Sequence, residues 1–313
     1  MDHVYICACA PEGGIYHYVL QNGGNLVFQD RILLDRPMYL VKDGQKLYTL
    51  LRAPFQDSTD SGLVSIPLDA DGRMGAPSMP QSTHGVVAAH LCVHNSDVFI
   101  ANYLSGNVVK APSLSIQHSG HSVNPVRQEG PHPHYIYPTP DNRFIAAVDL
   151  GTDTIITYDT ELNLRHAVKV PPGNGCRHLA FSPDGKYAYC ANELSSDISI
   201  FRYHAGVFEY LHTILLLPEA IKQTSIAAAI RCTEDYVYIS HRGYDKITQL
   251  KREGSSLSVQ SEIDCGGHWP RDFQLAGSCI ICTNEKSNNV SVIHQSKVVY
   301  QLSLPSPICV LVT

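Results

Sequence analysis

The chain is poor in several features that would each point to a particular kind of protein. Its 313 residues hold one tryptophan and four methionines, and only 17% of them carry a charge. No stretch approaches the roughly 20 apolar residues of a membrane-crossing helix. Lys and Arg number 23 against 29 Asp and Glu, a formal net charge of −6. There is therefore no basic surplus to hold nucleic acid or an anionic membrane. No linker, low-complexity segment or run of like charge marks a boundary, so one domain over 1–313 is expected. The first residues, Met-Asp-His-Val-Tyr-Ile-Cys-Ala-Cys-Ala, carry an acid where a secretory leader carries Lys or Arg. They read as a first β-strand, and a cytoplasmic location is expected. No Gly-x-Ser-x-Gly elbow or phosphate-cradling glycine loop is present, which disfavours an acyl-enzyme or nucleotide chemistry.

Ten cysteines are present, and Cys7, Cys9, Cys190, Cys279 and Cys282 sit among apolar neighbours in strand-like segments. There a free thiol packs as a small hydrophobe, consistent with a reducing compartment. Cys279-Ile-Ile-Cys282 has zinc-like spacing, but in a strand that spacing points the two thiols to opposite faces.

What the sequence does hold is a repeat. Residues 176–203 read as three short strands separated by a Pro183-Asp184-Gly185 turn and a Leu194–Asp197 turn. The end of the second strand recurs at Asn102, Asp149, Asn192, His241 and Asn284, at separations of 47, 43, 49 and 43 residues. A period of 40–50 with three or four strands per unit is the signature of a β-propeller. Residues 36–68 carry a further copy. Residues 1–20 hold a second and a third strand without a first, and Pro307–Val312 is an orphan strand at the other end. Pairing the orphan with the incomplete unit gives an all-β fold of seven blades, closed by the N- and C-terminal strands in one blade. A sandwich shows no such period, and a solenoid a shorter one.

In a propeller the first strand of each blade lines the axis, so first-strand starts and second-strand ends meet at one mouth. The first strands bring His132 and His134, Arg177 and His178, and Arg271 and Asp272. The second strands bring Asp149, Asn192 with Glu193, His241 with Arg242, and Asn284 with Glu285. Antiparallel register sets Arg177 beside Glu193. Such a mouth, basic within an acidic protein, attracts a small anion. Arginines supply forked donors to a carboxylate, phosphate or oxyanion, and a neighbouring carboxylate is held ionised. His132-Pro133-His134 puts two imidazoles on one face, but a third metal ligand is not evident and the arginines repel a cation; no metal and no cofactor is expected. His178, one residue from Arg177, is expected on the opposite strand face. Trp269 is a candidate wall of the pocket.

The motifs Gly130-Pro131-His132-Pro133-His134, Cys176-Arg177-His178-Leu179-Ala180-Phe181, Asn192-Glu193-Leu194, His241-Arg242-Gly243-Tyr244-Asp245 and Pro270-Arg271-Asp272-Phe273 together resemble the seven-bladed lactonases. That family comprises the propeller-type 6-phosphogluconolactonases and the fungal 3-carboxymuconate cyclase. The resemblance is carried by blades 4 to 7; the first three blades match by period and turn pattern alone. It implies catalytic roles for His134 (or His132), Glu193, Arg177 and Arg242, with Arg271 a third cation. His132, Arg271, Asn192, His241 and Asn284 are the expected substrate-binding set. The family has Asn more often at His241, and a small or polar residue at Tyr135. The expected activity is metal-independent hydrolysis of a sugar-acid lactone, foremost 6-phospho-D-glucono-1,5-lactone, with a small anionic lactone as the partner of the site. The competing readings are a lactonising cycloisomerase on the same residues and a non-catalytic binding platform. The absence of Trp-Asp blade dipeptides disfavours the platform.

Overall fold

The computed structural model describes residues 2–313. It holds seven four-stranded antiparallel sheets and one helical turn, Glu219–Lys222. The seven first strands are Pro307–Val312, Pro37–Asp43, Ala88–His94, Pro133–Pro138, Cys176–Phe181, Ile226–Cys232 and Pro270–Ala276, for blades 1 to 7. Each packs against the first strand of the blade before and after it, which closes the ring around an axis. Blade 1 is assembled from both chain ends in the order Pro307–Val312, Asp2–Ala8, Gly14–Leu20, Leu26–Leu33. Cys7 faces Cys309 and Ile6 faces Val310 across that closure. The ring therefore has no unpaired inner edge, as the orphan strand led us to expect.

The strands form where β-branched and aromatic residues alternate, and the core lies between blades, not within them. Tyr189, Ile198 and Ile200 of blade 5 pack on Ile230, Val237 and Ile239 of blade 6, all nearly fully buried. The second-strand turns follow the pattern seen in the sequence. In blade 5, Ser182 Oγ donates to Asp184 Oδ1 at 2.6 Å, and Gly185 takes φ +68°. Asn142 holds the equivalent left-handed position in blade 4 with φ +54°, which Asn tolerates better than most residues. The outermost strands left the weakest trace in the sequence because they are covered on one side only: Leu164–Lys169 and Leu114–Gln117 are largely exposed.

One backbone feature positions the site. Near the mouth, every first strand slips its register against the second strand. The slip leaves an extra residue: Ile308, Met38, Ala89, His134, Arg177 and Arg271 in blades 1 to 5 and 7, while in blade 6 Ala228 and Ala229 together stand opposite Ser240. A β-bulge of this kind bends the strand and re-aims the unpaired side chain. Repeated seven times around an axis, it makes a ring of side chains across the channel.

Candidate active site

The six single bulge residues, Met38, Ala89, His134, Arg177, Arg271 and Ile308, line one small axial cavity together with Tyr39, His178 and Asp272. Its free volume is about 20 Å³, room for one water molecule. A much larger groove, about 720 Å³, runs along Asp2, Gln21, Gly24, Ser278 and His294 on the edge of blades 1 and 7. It is an open trough without convergent charge, so the site is identified by its chemistry and not by its volume.

A second ring sits just outside the first. The residue following each second strand donates its N–H to the residue that precedes the first strand of the same blade. This holds for Cys9, Arg52, Tyr103, Leu150, Glu193 and Glu285. Arg242 takes the corresponding place in blade 6, opposite Ile226.

Glu193 is the hub. It is 3% exposed, and its Oε2 lies 2.9 Å from Arg177 Nε and 2.7 Å from Arg242 Nη2, while Arg127 donates to Oε1. Burial alone would raise the carboxyl pKa, but Arg242, Arg177 and Arg127 outweigh it and hold Glu193 well below the usual carboxylate range. Arg177 is pulled down to about 9 by burial and by Arg242, against the opposing pull of Glu193, and so remains charged at neutral pH. Burial also lowers Arg242, likewise resisted by Glu193. Arg242 Nη2 donates to the Ala227 carbonyl, and Arg177 Nη1 to the Ala228 carbonyl, both at 2.8 Å. Arg271 pairs with Glu285 at 3.1 Å. With Arg231 on Asp272, five guanidinium groups thus meet three carboxylates, leaving an excess of two positive charges around the axis. In that low-dielectric setting the excess favours an anion strongly.

His134 lines the cavity, and its Nδ1 is buried without a partner. Burial and the Arg177 charge push its pKa well below the ordinary value, so the imidazole is neutral. His132 is turned away. Its ring stacks on Tyr103 at 4.5 Å, with Nδ1 2.9 Å from the Tyr103 carbonyl oxygen and Nε2 3.1 Å from Glu129. Of the two imidazoles, His134 is therefore the one in the cavity.

The structure does not bring Asn192, His241 and Asn284 to the cavity. Strand alternation turns them away from the channel face that Glu193, Arg242 and Glu285 occupy. Asn192 donates to Ser199 Oγ at 2.9 Å, and Asn284 to the Cys265 carbonyl and Ser291 Oγ. His241 is fully buried, with neither ring nitrogen partnered, and burial lowers its pKa to about 3. These residues tie or fill the blade. The expectation for His178 is also corrected. The bulge between Cys176 and His178 turns two successive side chains to one side, and Arg177 Nη1 donates to His178 Nε2 at 3.1 Å.

Arg127, Ala227 and Ala228 were missed from sequence. Arg127 lies in the 118–132 connection outside any repeat position, and nothing in the spacing singles it out; its Nη2 also reaches Tyr103 Oη at 3.3 Å. Ala227 and Ala228 act through backbone carbonyls, which no side-chain motif reveals. Trp269 does stand at the rim, between Arg242 at 5.7 Å and Lys286 at 3.1 Å from its ring centre. Among the described residues no three of His, Cys, Asp or Glu are grouped to hold a metal.

A seven-bladed propeller with a cationic axial site defines a class of proteins, and comparison narrows it. Residues 3–312 match the family described as "Lactonase, 7-bladed beta-propeller", and the chain belongs to that family. An uncharacterized protein of Staphylococcus aureus (strain bovine RF122 / ET3-1) is 27% identical over 307 residues, covering 90% of this chain and 88% of its own. A candidate 6-phosphogluconolactonase of Bacteroides fragilis superposes with a TM-score of 0.89 at 22% identity, over 100% of this chain and 98% of the other. The Pseudomonas aeruginosa periplasmic gluconolactonase superposes with a TM-score of 0.89 at 23% identity, over 100% and 99%. At these identities the solved structures speak for the fold.

Proposed function

We propose that this protein hydrolyses a small anionic lactone without a metal, with 6-phospho-D-glucono-1,5-lactone as the foremost substrate. The observation that carries the reading is the grouping of Glu193 with Arg127, Arg177 and Arg242 beside a neutral, unpartnered His134. Glu193, ionised and held by three guanidinium groups, is a poor base and acts as the clamp that sets their positions. His134 is the remaining proton acceptor. In the proposed reaction water attacks the lactone carbonyl carbon while His134 takes one of its protons. Arg177 and Arg242 stabilise the oxyanion that forms, an effect typically worth about 10²–10³ in rate per donor. The tetrahedral intermediate then collapses, the ring C–O bond breaks, and the imidazolium returns its proton to the leaving oxygen. The product is the open hydroxy acid, with no covalent intermediate on the protein. Arg271 and Arg127 supply charge for the acidic group of the substrate. Ten free cysteines support a reducing, cytoplasmic setting, and no helix among the described residues is long and apolar enough to cross a membrane.

The test is proton release by metal-stripped protein with freshly made 6-phosphogluconolactone, alongside unphosphorylated gluconolactone, in ¹⁸O-labelled water. Acceleration with the phosphorylated lactone, and label in the product carboxylate, is the expected result. A lactone that closes or opens without taking up label would replace hydrolysis by cycloisomerisation. No acceleration with either compound would remove this substrate assignment.

A further inference from the structure

We infer that His178 is a positioning residue for Arg177, acting as a neutral imidazole protonated on Nδ1. For its kinetic consequence the inference rests on the lactonase reading; its structural content does not. It follows from accounting for the five N–H groups of the Arg177 guanidinium. Nη1 has two hydrogens and two acceptors, His178 Nε2 at 3.1 Å and the Ala228 carbonyl at 2.8 Å. Nε lies 2.9 Å from Glu193 Oε2 but outside hydrogen-bonding geometry, so that contact is an ion pair and holds the group by charge. Both hydrogens of Nη2 then remain for the cavity that Arg177 lines.

Nη1 can only donate, so His178 Nε2 must carry a lone pair and the ring proton must sit on Nδ1. That nitrogen is buried with no partner. The opposite tautomer would set N–H against N–H and strand one of the two Nη1 hydrogens. The ring is held from all sides, with Tyr135 at 5.1 Å, His134 at 5.3 Å and His90 at 5.6 Å between ring centres. Burial, Arg177 and the two neighbouring histidines disfavour its protonation. A side chain one residue beyond Arg177 could not reach it in a regular strand; the bulge makes the contact possible. Across the blade boundary, the Ala228 carbonyl of blade 6 accepts the second Nη1 hydrogen. Together the imidazole and the carbonyl fork Nη1 and fix the plane of the group, so that Nη2 is the donor presented to a substrate oxygen.

Two measurements test this. Long-range ¹H–¹⁵N correlation on the wild-type protein, with the His178 signals assigned by their loss in His178→Gln, should show Nδ1 protonated and Nε2 bare from pH 6 to 8. A proton on Nε2 would overturn the inference without reference to any activity. Kinetically, His178→Phe keeps an aromatic ring, slightly larger than imidazole, and removes the acceptor. It should lower kcat on a lactone that the wild type hydrolyses by about tenfold to a hundredfold, the usual cost of a misplaced catalytic group, with KM changed less than about threefold. His178→Gln, whose Oε1 can accept, should recover to within about threefold of wild type. Equal losses in both variants, or no loss in the Phe variant, would overturn it. If the wild type hydrolyses no lactone, the lactonase reading falls and the tautomer alone decides the positioning claim.

Discussion

Blades 1 to 3 and blades 4 to 7 share one backbone and differ in what they hang on it. At the bulge the first group carries Ile308, Met38 and Ala89, and the second His134, Arg177, Ala228 with Ala229, and Arg271. At the outer ring the first group has Cys9, Arg52 and Tyr103, and the second Leu150, Glu193, Arg242 and Glu285. The bulge is thus a scaffold device present in every blade, and chemistry has been placed on one arc of it. A seven-fold ring lets that happen because each blade needs only its own ladder and its two neighbours, so side chains at the axis are free to differ.

Replacing charge on the charged arc should have the largest consequence. Glu193→Ala leaves three guanidinium groups without their shared carboxylate and should cost about 3–5 kcal/mol of stability, read as a lowered urea midpoint; an unchanged midpoint would mean the hub contributes nothing to the fold. Arg242→Ala leaves Glu193 with Arg177 and Arg127, so the fold should survive while turnover falls by about 10²–10³. Normal turnover in that variant would remove the active arc altogether. On the apolar arc, Met38→Ala should lower stability by about 2–5 kcal/mol through lost packing and change turnover far less than Arg242→Ala does. A loss of equal size there would erase the distinction between the arcs. Arg127→Ala removes a third-exposed partner of Glu193 and should cost about tenfold or less in kcat/KM, mostly as a raised KM.

The axis should also be sensitive to acid. His90, His134, His178 and His241 are buried and neutral, with pKa values below the ordinary one of about 6.5. The unfolded chain therefore binds more protons than the folded one once pH falls through about 6.5. Their stabilising contribution is complete above that pH and is lost below it, at about 1.4 kcal/mol per pH unit for each imidazole. Glu193, with its pKa held low, loses its contribution in the same direction at more acid pH. Urea midpoints measured from pH 8 to 5 should be flat and then fall; a midpoint that stays level to pH 5 would show that these rings are protonated in the folded protein.

Much of this was legible in the sequence. The period, the turns and the orphan strand Pro307–Val312 carried the blade count and the mode of closure, because strand patterning and turn chemistry are local. Arg177 beside Glu193 followed from antiparallel register. His132 against His134 was not decided, since Pro133 lies at the bulge itself and alternation does not apply there. Asn192, His241 and Asn284 recur at the strand ends because they serve their own blades, and periodicity does not distinguish a repeated tie from a repeated ligand.

What the amino-acid order determined by itself, then, was the ring: seven units, each too small to bury its own faces, whose alternating strands must stack on neighbours. Tertiary structure decided which of the candidate side chains at the mouth meet at the axis, and which residues from outside the repeat join them. A register slip reverses the face of one residue, and contacts such as Arg127 with Glu193 or Arg177 with the Ala228 carbonyl join positions 66 and 51 residues apart. No local pattern encodes such a contact, because its energy depends on where the ring closes.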